Sequence, residues 1–391
     1  MPDSEGVKSK KIIGAVIVLS VLIGYAGIVY LVDRFAGTAG LAQWLNRKKV
    51  MTDHRAELME KINRDPHFKD VDKERYADEL EQIITMDKKR NLGNWVSYKS
   101  FTPNVSGRYI HTNDYGMRSS LSLREMVAKA RANRRAGIRN IVFLGGSVAF
   151  GYGSVDDEQT ITGFLNSMLK DRGYEVFNLA QGGFTSFMDL FMLATVGLYL
   201  EPNLIVSMES YADMYHLAYP SKGGELAWGL FSGVEREKDP QFAFEFHYHN
   251  LESISRLGKG PDRKVIIALQ PVSGFDNNSR VEMEQIRGLW PLYPKIREVA
   301  RLAAENNGAE FLDLSGIFKD DPNANLDFFD KAHLTVRGQR RVAEMFARTI
   351  ENLHWEREEP PTLLKEEQAI AGILGRDSSG QYKTPPEYAP K

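Results

Sequence analysis

Cysteine is absent from the 391-residue chain. That excludes disulfides, thiolate metal ligands and a cysteine nucleophile together, but leaves the compartment open, since extracytoplasmic proteins also do without disulfides. An excess of either charge is missing too: 50 basic residues against 52 acidic ones give a formal net charge of −2. No global field favours nucleic acid, and no stripe of interleaved basic and aromatic residues suggests a nucleic-acid surface. Phosphate-cradling loops are lacking. Gly151-Tyr-Gly153 has no third glycine at the offset of a dinucleotide fingerprint, and no Walker loop occurs. Nothing calls for a cofactor. His247 and His249 flank Tyr248 and would face one way on an extended segment, but zinc needs a further His or carboxylate nearby, so no metal is expected.

Long apolar runs are scarce, with one exception. Residues 12–32 carry no charge and only Ser20, Tyr25 and Tyr30 as mildly polar members. The length suits a bilayer span, exceeds a signal-peptide core and is not followed directly by a small-x-small cleavage site. It reads as a transmembrane helix. Lys8, Lys10 and Lys11 stand just before it, whereas Asp33 and Arg34 follow and the next basic cluster is Arg47-Lys48-Lys49. Residues 1–11 are therefore expected to be a cytoplasmic tail, with the bulk of the chain extracytoplasmic, in the periplasm or at the cell surface. Ser20 and Gly24 form a small-xxx-small pair, which suits packing against another membrane helix, as a polytopic partner would offer.

Residues 33–100 read as a membrane-proximal helical segment. They are dense in charge and helix formers between 44 and 90, with Pro66 as a break and Leu58, Ile62, Tyr76, Leu80, Ile83 and Ile84 at helical spacing. No chemistry is assigned to them. Trp95–Gly107 turns aromatic and extended, and Asn113-Asp-Tyr-Gly116-Met-Arg118 favours a turn. From residue 140 apolar strand-like runs appear at Ile141–Leu144, Val176–Leu179, Leu204–Met208, Val265–Leu269 and Phe311–Leu314. Helical patterns lie between and after them, including 161–169, 296–303 and 336–350. Alternation without hairpin signals predicts a parallel sheet covered on both faces, with any active site beyond the carboxyl ends of its strands. This domain is expected over 101–355. Residues 215–262, with Gly223-Gly224 and aromatics from Phe242 to Tyr248, read as an irregular insertion beside that site, and 356–391 as a disordered polar tail.

Three stretches carry chemistry. Gly145-Gly146-Ser147 ends the first strand, so the serine sits on a sharp strand-to-helix turn with its hydroxyl projected from the sheet end. The bland alternative is a serine that merely caps a helix. Asn178-Leu-Ala-Gln181-Gly182-Gly183 ends the second strand, where paired glycines let a backbone N–H approach a ligand. Asp330-Lys-Ala-His333 precedes the last helix; a carboxylate three residues from a histidine can hold Nδ1–H and leave Nε2 to the reaction centre. The serine is not within Gly-x-Ser-x-Gly and the acid does not come well before the histidine, so the α/β-hydrolase plan does not apply.

Together these blocks resemble the SGNH (GDSL-type) hydrolase superfamily over roughly residues 108–352, and Asn113–Arg118 resembles a segment of its membrane-anchored bacterial branch. The resemblance implies a three-layer α/β/α, flavodoxin-like fold with a mostly parallel five-stranded sheet. It implies Ser147 as nucleophile, His333 as base, Asp330 as its orienter, and the N–H groups of Ser147 and Gly183 as two oxyanion donors. One block departs. Where the family has Gly-x-Asn-Asp, this chain has Ser210-Tyr-Ala212-Asp213, so the third donor, an Asn side chain, is replaced by Ala212. Ser210 and Gln181 are the candidate substitutes. The expected function is an anchored serine esterase acting on an ester, such as an O-acetyl group, of an envelope glycan or lipid. An O-acetyltransferase with the same triad and a catalytically silent glycan-binding or scaffold protein are the alternatives.

Overall fold

The computed structural model describes residues 55–85, 89–92, 96–99, 101–209, 211–218, 240–274, 291–353 and 355. The membrane span read at 12–32, the cytoplasmic tail, the tail after 356 and Ser210 lie outside them. Among the described residues no helix is long and apolar enough to cross a membrane. The chain divides into two compact units, one through Arg64 and one from Asp65. Of the first the structure describes a helix over 55–64.

In the second unit, α1 (Lys73–Thr85) is followed by a two-stranded antiparallel hairpin, β1 (Lys89–Leu92) with β2 (Val96–Lys99). The alternating unit comes next: α2 (Leu123–Arg135), β3 (Arg139–Gly145), a four-residue helix α3 (Ser147–Phe150), α4 (Ile161–Leu169) and β4 (Tyr174–Asn178). Then follow α5 (Ser186–Thr195), β5 (Leu204–Glu209), α6 (Tyr211–Ala218), α7 (Pro240–Gly258), β6 (Lys264–Leu269), α8 (Tyr293–Glu305), β7 (Glu310–Asp313) and α9 (Val336–Asn352). The five strands β3 to β7 pair in parallel in the order β4-β3-β5-β6-β7. The chain starts inside the sheet, winds outward one way and then returns, so its topological switch lies beside β3.

Parallel strands covered on both sides need apolar residues at successive positions. In β3, Ile141 to Leu144 are all fully buried. Val142 and Leu144 join a core with Met126 of α2, Met192 of α5, Leu251 of α7 and Ala300 of α8. Phe143 points the other way, edge-on to Phe346 of α9 with ring centroids 5.1 Å apart. The helices carry matching stripes: in α9, Val342, Phe346 and Ile350 recur every four residues and are all buried. Caps set the starts. Ser122 and Glu125 form a reciprocal capping box at α2, and the Thr160 hydroxyl accepts from Gly163 N at α4.

Two expectations need correction. The stretch read as an irregular insertion holds a long helix, α7, whose Phe244, Leu251 and Ile254 are buried. His247 and His249 stand on that helix rather than on an extended segment. Two residues apart on a helix they diverge, and the His247 side chain is 1 % exposed against 68 % for His249. Among the described residues no group of His, Cys, Asp or Glu could hold a metal. The compact unit that holds the sheet begins at Asp65, ahead of the start at 101 read from the sequence. Glu79 of α1 is buried and accepts the backbone N–H groups of Arg108, Tyr109 and Ile110 at 2.7, 2.8 and 3.2 Å. Thr102 donates its hydroxyl to Gln82 O at 2.8 Å, and Tyr76 packs edge-on to Tyr109. Periodicity showed this helix as helical; only the carboxylate on its inner face shows what it holds.

Candidate active site

The position of Ser147, the candidate nucleophile, follows from a backbone that only glycine permits. Gly145 closes β3 with φ +151°, and a Cβ there would stand 2.6 Å from Ala149 Cβ and 2.7 Å from Met208 O. The chain turns through Gly146 straight into α3, so Ser147 is its first residue at the carboxyl edge of the sheet, next to the switch point. Asn178 fastens this short helix: its amide donates to Ala149 O at 3.1 Å and to Thr162 Oγ1 at 3.0 Å.

Arg118, 2 % exposed, clamps the loop that follows. It donates to Asp157 Oδ1 and Gly151 O, both at 2.6 Å, and to Tyr109 O and Ser154 O at 3.1 and 3.2 Å. Asn113 shapes the turn before it, with Oδ1 accepting from Tyr115 N and Met117 N. The sequence singled out Asn113–Arg118 by resemblance; the structure gives it the task of bracing the nucleophile loop.

His333 comes from the far end of the chain. Residues 328–334 form a tight loop closed by a bridge between Phe328 and Leu334, and Thr335 then caps α9. Within this loop Asp330 Oδ1 accepts the backbone N–H groups of Ala332 and His333 at 2.9 and 2.8 Å. The same carboxylate meets His333 Nδ1 at 2.9 Å from both oxygens. A buried carboxylate can only accept, so the ring proton sits on Nδ1 and the Nε2 lone pair is left facing Ser147. His333 Nε2 lies 2.7 Å from Ser147 Oγ, across 186 residues of chain. The Tyr152 ring covers the imidazole at a centroid distance of 4.2 Å. Gln339, fully buried, ties the assembly together by accepting from Ile161 N and donating to Tyr152 O and Leu334 O.

On the oxyanion side, Gly183 adopts φ +75° with open space where a Cβ would be. No hydrogen bond among the described residues uses the backbone N–H of Ser147 or of Gly183. Gln181 is otherwise engaged. Its side chain is fully buried, accepts from Phe101 N at 3.1 Å and donates to Tyr115 O at 3.2 Å. These two bonds make it a positioning group for the loop that leads to Gly183. Ala212, at the start of α6, offers no side-chain donor. Thr185, two residues after Gly183, keeps a buried hydroxyl without a hydrogen-bond partner.

A second polar cluster was not legible in the sequence. Asp213 accepts from Ser186 Oγ at 2.7 Å and from Ser186 N, and His247 Nδ1 stands 3.1 Å from the same carboxylate. Asn250 donates to Ser186 Oγ at 3.1 Å. Burial pushes the Asp213 carboxyl up, but the His247 charge and the hydrogen bonds from His247 and Ser186 more than offset this and hold it below the usual carboxylate range. The cluster pins the start of α5, three residues after Gly183, to the start of α6 and to α7. Only the burial of His247 on a helix, invisible as such in one sequence, distinguishes it from a surface histidine.

No family model matches the chain, and neither does any curated protein. Among solved structures it is similar to Axe2, an acetylxylan esterase from Geobacillus stearothermophilus, at 16% identity and a TM-score of 0.41, covering 56% of this chain and 97% of that one. The M. smegmatis aryl esterase matches at 14% identity and a TM-score of 0.39, over 55% and 100% of the two chains. Likeness of this degree leaves the chemistry to be read from the site itself.

Proposed function

We propose that this chain is a serine ester hydrolase of the SGNH type, held to the membrane by residues 12–32 with its catalytic unit on the extracytoplasmic side. The observation that carries the reading is the 2.7 Å contact between Ser147 Oγ and His333 Nε2, with His333 Nδ1 held by the buried Asp330. The mechanism has two halves. His333 Nε2 takes the proton from Ser147 as Oγ bonds to the ester carbonyl carbon, and the oxygen that becomes negative is received by the N–H groups of Ser147 and Gly183. Collapse breaks the bond to the leaving alkoxide, which takes the proton from His333, and the acyl group stays on Ser147. Water, deprotonated by the same nitrogen, then releases the acid. An acceptor sugar hydroxyl in place of water would make the same residues an acyltransferase. A short acyl ester of an envelope glycan or lipid suits the anchor.

The test is labelling of the full chain in detergent with a fluorophosphonate. Labelling is expected for the native chain and absent for Ser147→Ala, and equal labelling of both would refute the assignment. The missing third donor makes a further prediction. One oxyanion donor is worth about 10²–10³ in rate, so Ala212→Asn should raise kcat on an acetyl ester by up to about 10²-fold. If the Thr185 hydroxyl already serves, Ala212→Asn gains nothing and Thr185→Val loses about 10²–10³-fold instead.

A further inference from the structure

A concentration of unneutralised charge lies at the opposite end of the sheet. A cavity of about 480 Å³ opens at the amino ends of β3 and β6. Arg134, Arg139, Lys259, Arg263 and Lys264 line it against a single acid, Asp262. Five cations and one anion leave the cavity at +4, in a chain whose net charge is −2. Asp262 is taken by Arg134 at 2.7 Å. Among the described residues the other four cations have no carboxylate partner. Arg139, Arg263 and Lys264 are each partly buried, which raises the cost of their mutual repulsion.

Trp355 sits among them. Arg139 stacks over its ring at 4.8 Å and Lys264 approaches the ring at 5.8 Å. The indole Nε1–H is buried and has no hydrogen-bond partner. An orphaned buried donor beside unpaired cations is the negative image of an anion. The kind of anion follows from the geometry. Cations already occupy the indole ring, so it offers no open platform for a sugar. Arginine forks, lysine point charges and an indole N–H converging on one cavity suit a compact group with several charges and acceptor oxygens, rather than single carboxylates spaced along a polymer.

We propose that this cavity is a binding site for a phosphate or pyrophosphate group, separate from the catalytic centre. Arg139 opens β3 and Gly145 closes it, so the strand alone sets the cavity roughly 20 Å from Ser147. The inference does not depend on the esterase reading. The group belongs either to a soluble phosphorylated compound or to a phospholipid headgroup.

The experiment is calorimetric titration of the full chain in detergent with inorganic pyrophosphate, with soluble short-chain phosphatidylglycerol and with short-chain phosphatidylcholine as the zwitterionic control. Each is repeated on Lys259→Glu/Arg263→Glu and, as a milder change, Arg139→Gln. Pyrophosphate is expected to bind with a Kd below about 100 µM and to raise the unfolding temperature. The double charge reversal should weaken it at least about 30-fold while fluorophosphonate labelling of Ser147 is unchanged. Phosphatidylglycerol binding that shows the same loss would assign the headgroup source; pyrophosphate binding alone would assign the soluble one. Absence of binding for both phosphate ligands, or binding indifferent to the charge reversal, would overturn the proposal.

Discussion

At Asp330 one carboxylate does two jobs. Oδ1 shapes the loop by accepting the N–H groups of residues 332 and 333, while both oxygens face His333 Nδ1. Asp330→Asn separates the jobs. The amide oxygen can still hold the backbone, but its NH₂ disfavours a proton on Nδ1 and leaves Nε2 in the wrong tautomer. Folding should therefore survive, with kcat lower by about 10³–10⁴ and KM little changed, as steady-state kinetics on an acetyl ester would show. Ser147, Asp330 and His333 were legible as candidates because their short stretches, taken together, make one pattern. The anchoring of Gln181 was not legible because its partners, Phe101 N and Tyr115 O, sit 80 and 66 residues away.

Elements are held by polar groups that periodicity does not reveal. Arg118 spends its guanidinium on one carboxylate and three carbonyls around the nucleophile loop. Arg118→Ala strands those acceptors in a buried site and should cost about 2–4 kcal/mol in urea unfolding. The junction of α5, α6 and α7 depends likewise on Asp213. Its folded pKa is depressed, so the stability it contributes is present above the unfolded value and is lost as pH falls through the folded one. Asp213→Asn should be less stable than the native chain near neutral pH by about 1–3 kcal/mol. The two unfolding curves should converge on acidification. Parallel curves down to the lowest pH at which both fold would contradict a stabilising Asp213 carboxylate.

Over the whole α/β unit, residues 65–85 turn out to be part of the fold they precede. Phe68 packs against Phe329, beside Asp330, with ring centroids 5.8 Å apart, and Phe68, Tyr76, Leu80 and Ile83 are all buried. At about 2 kcal/mol for each such side chain, exposing all four forfeits a large part of a usual folding free energy of about 5–15 kcal/mol. A chain spanning 65–355 should unfold in one cooperative transition. A chain begun at 101, the border read from composition, should aggregate or melt at least about 10 °C lower. Equal melting temperatures would show that α1 is dispensable.

The sequence alone settled the alternation of strand and helix, because burial on both sheet faces forces continuous apolar runs and helical stripes that any reader can count. It also exposed the three candidate catalytic side chains, since a serine after paired glycines and an Asp-x-x-His ahead of a helix are local patterns. Tertiary structure alone decided that Ser147 and His333 meet, that Glu79 and Phe68 belong to the α/β unit, and that five scattered cations share one cavity. Those outcomes depend on contacts between residues tens to hundreds of positions apart. Hydrogen bonds and charges act through space over a few ångströms, and no periodicity along the chain records which distant groups the fold will bring that close.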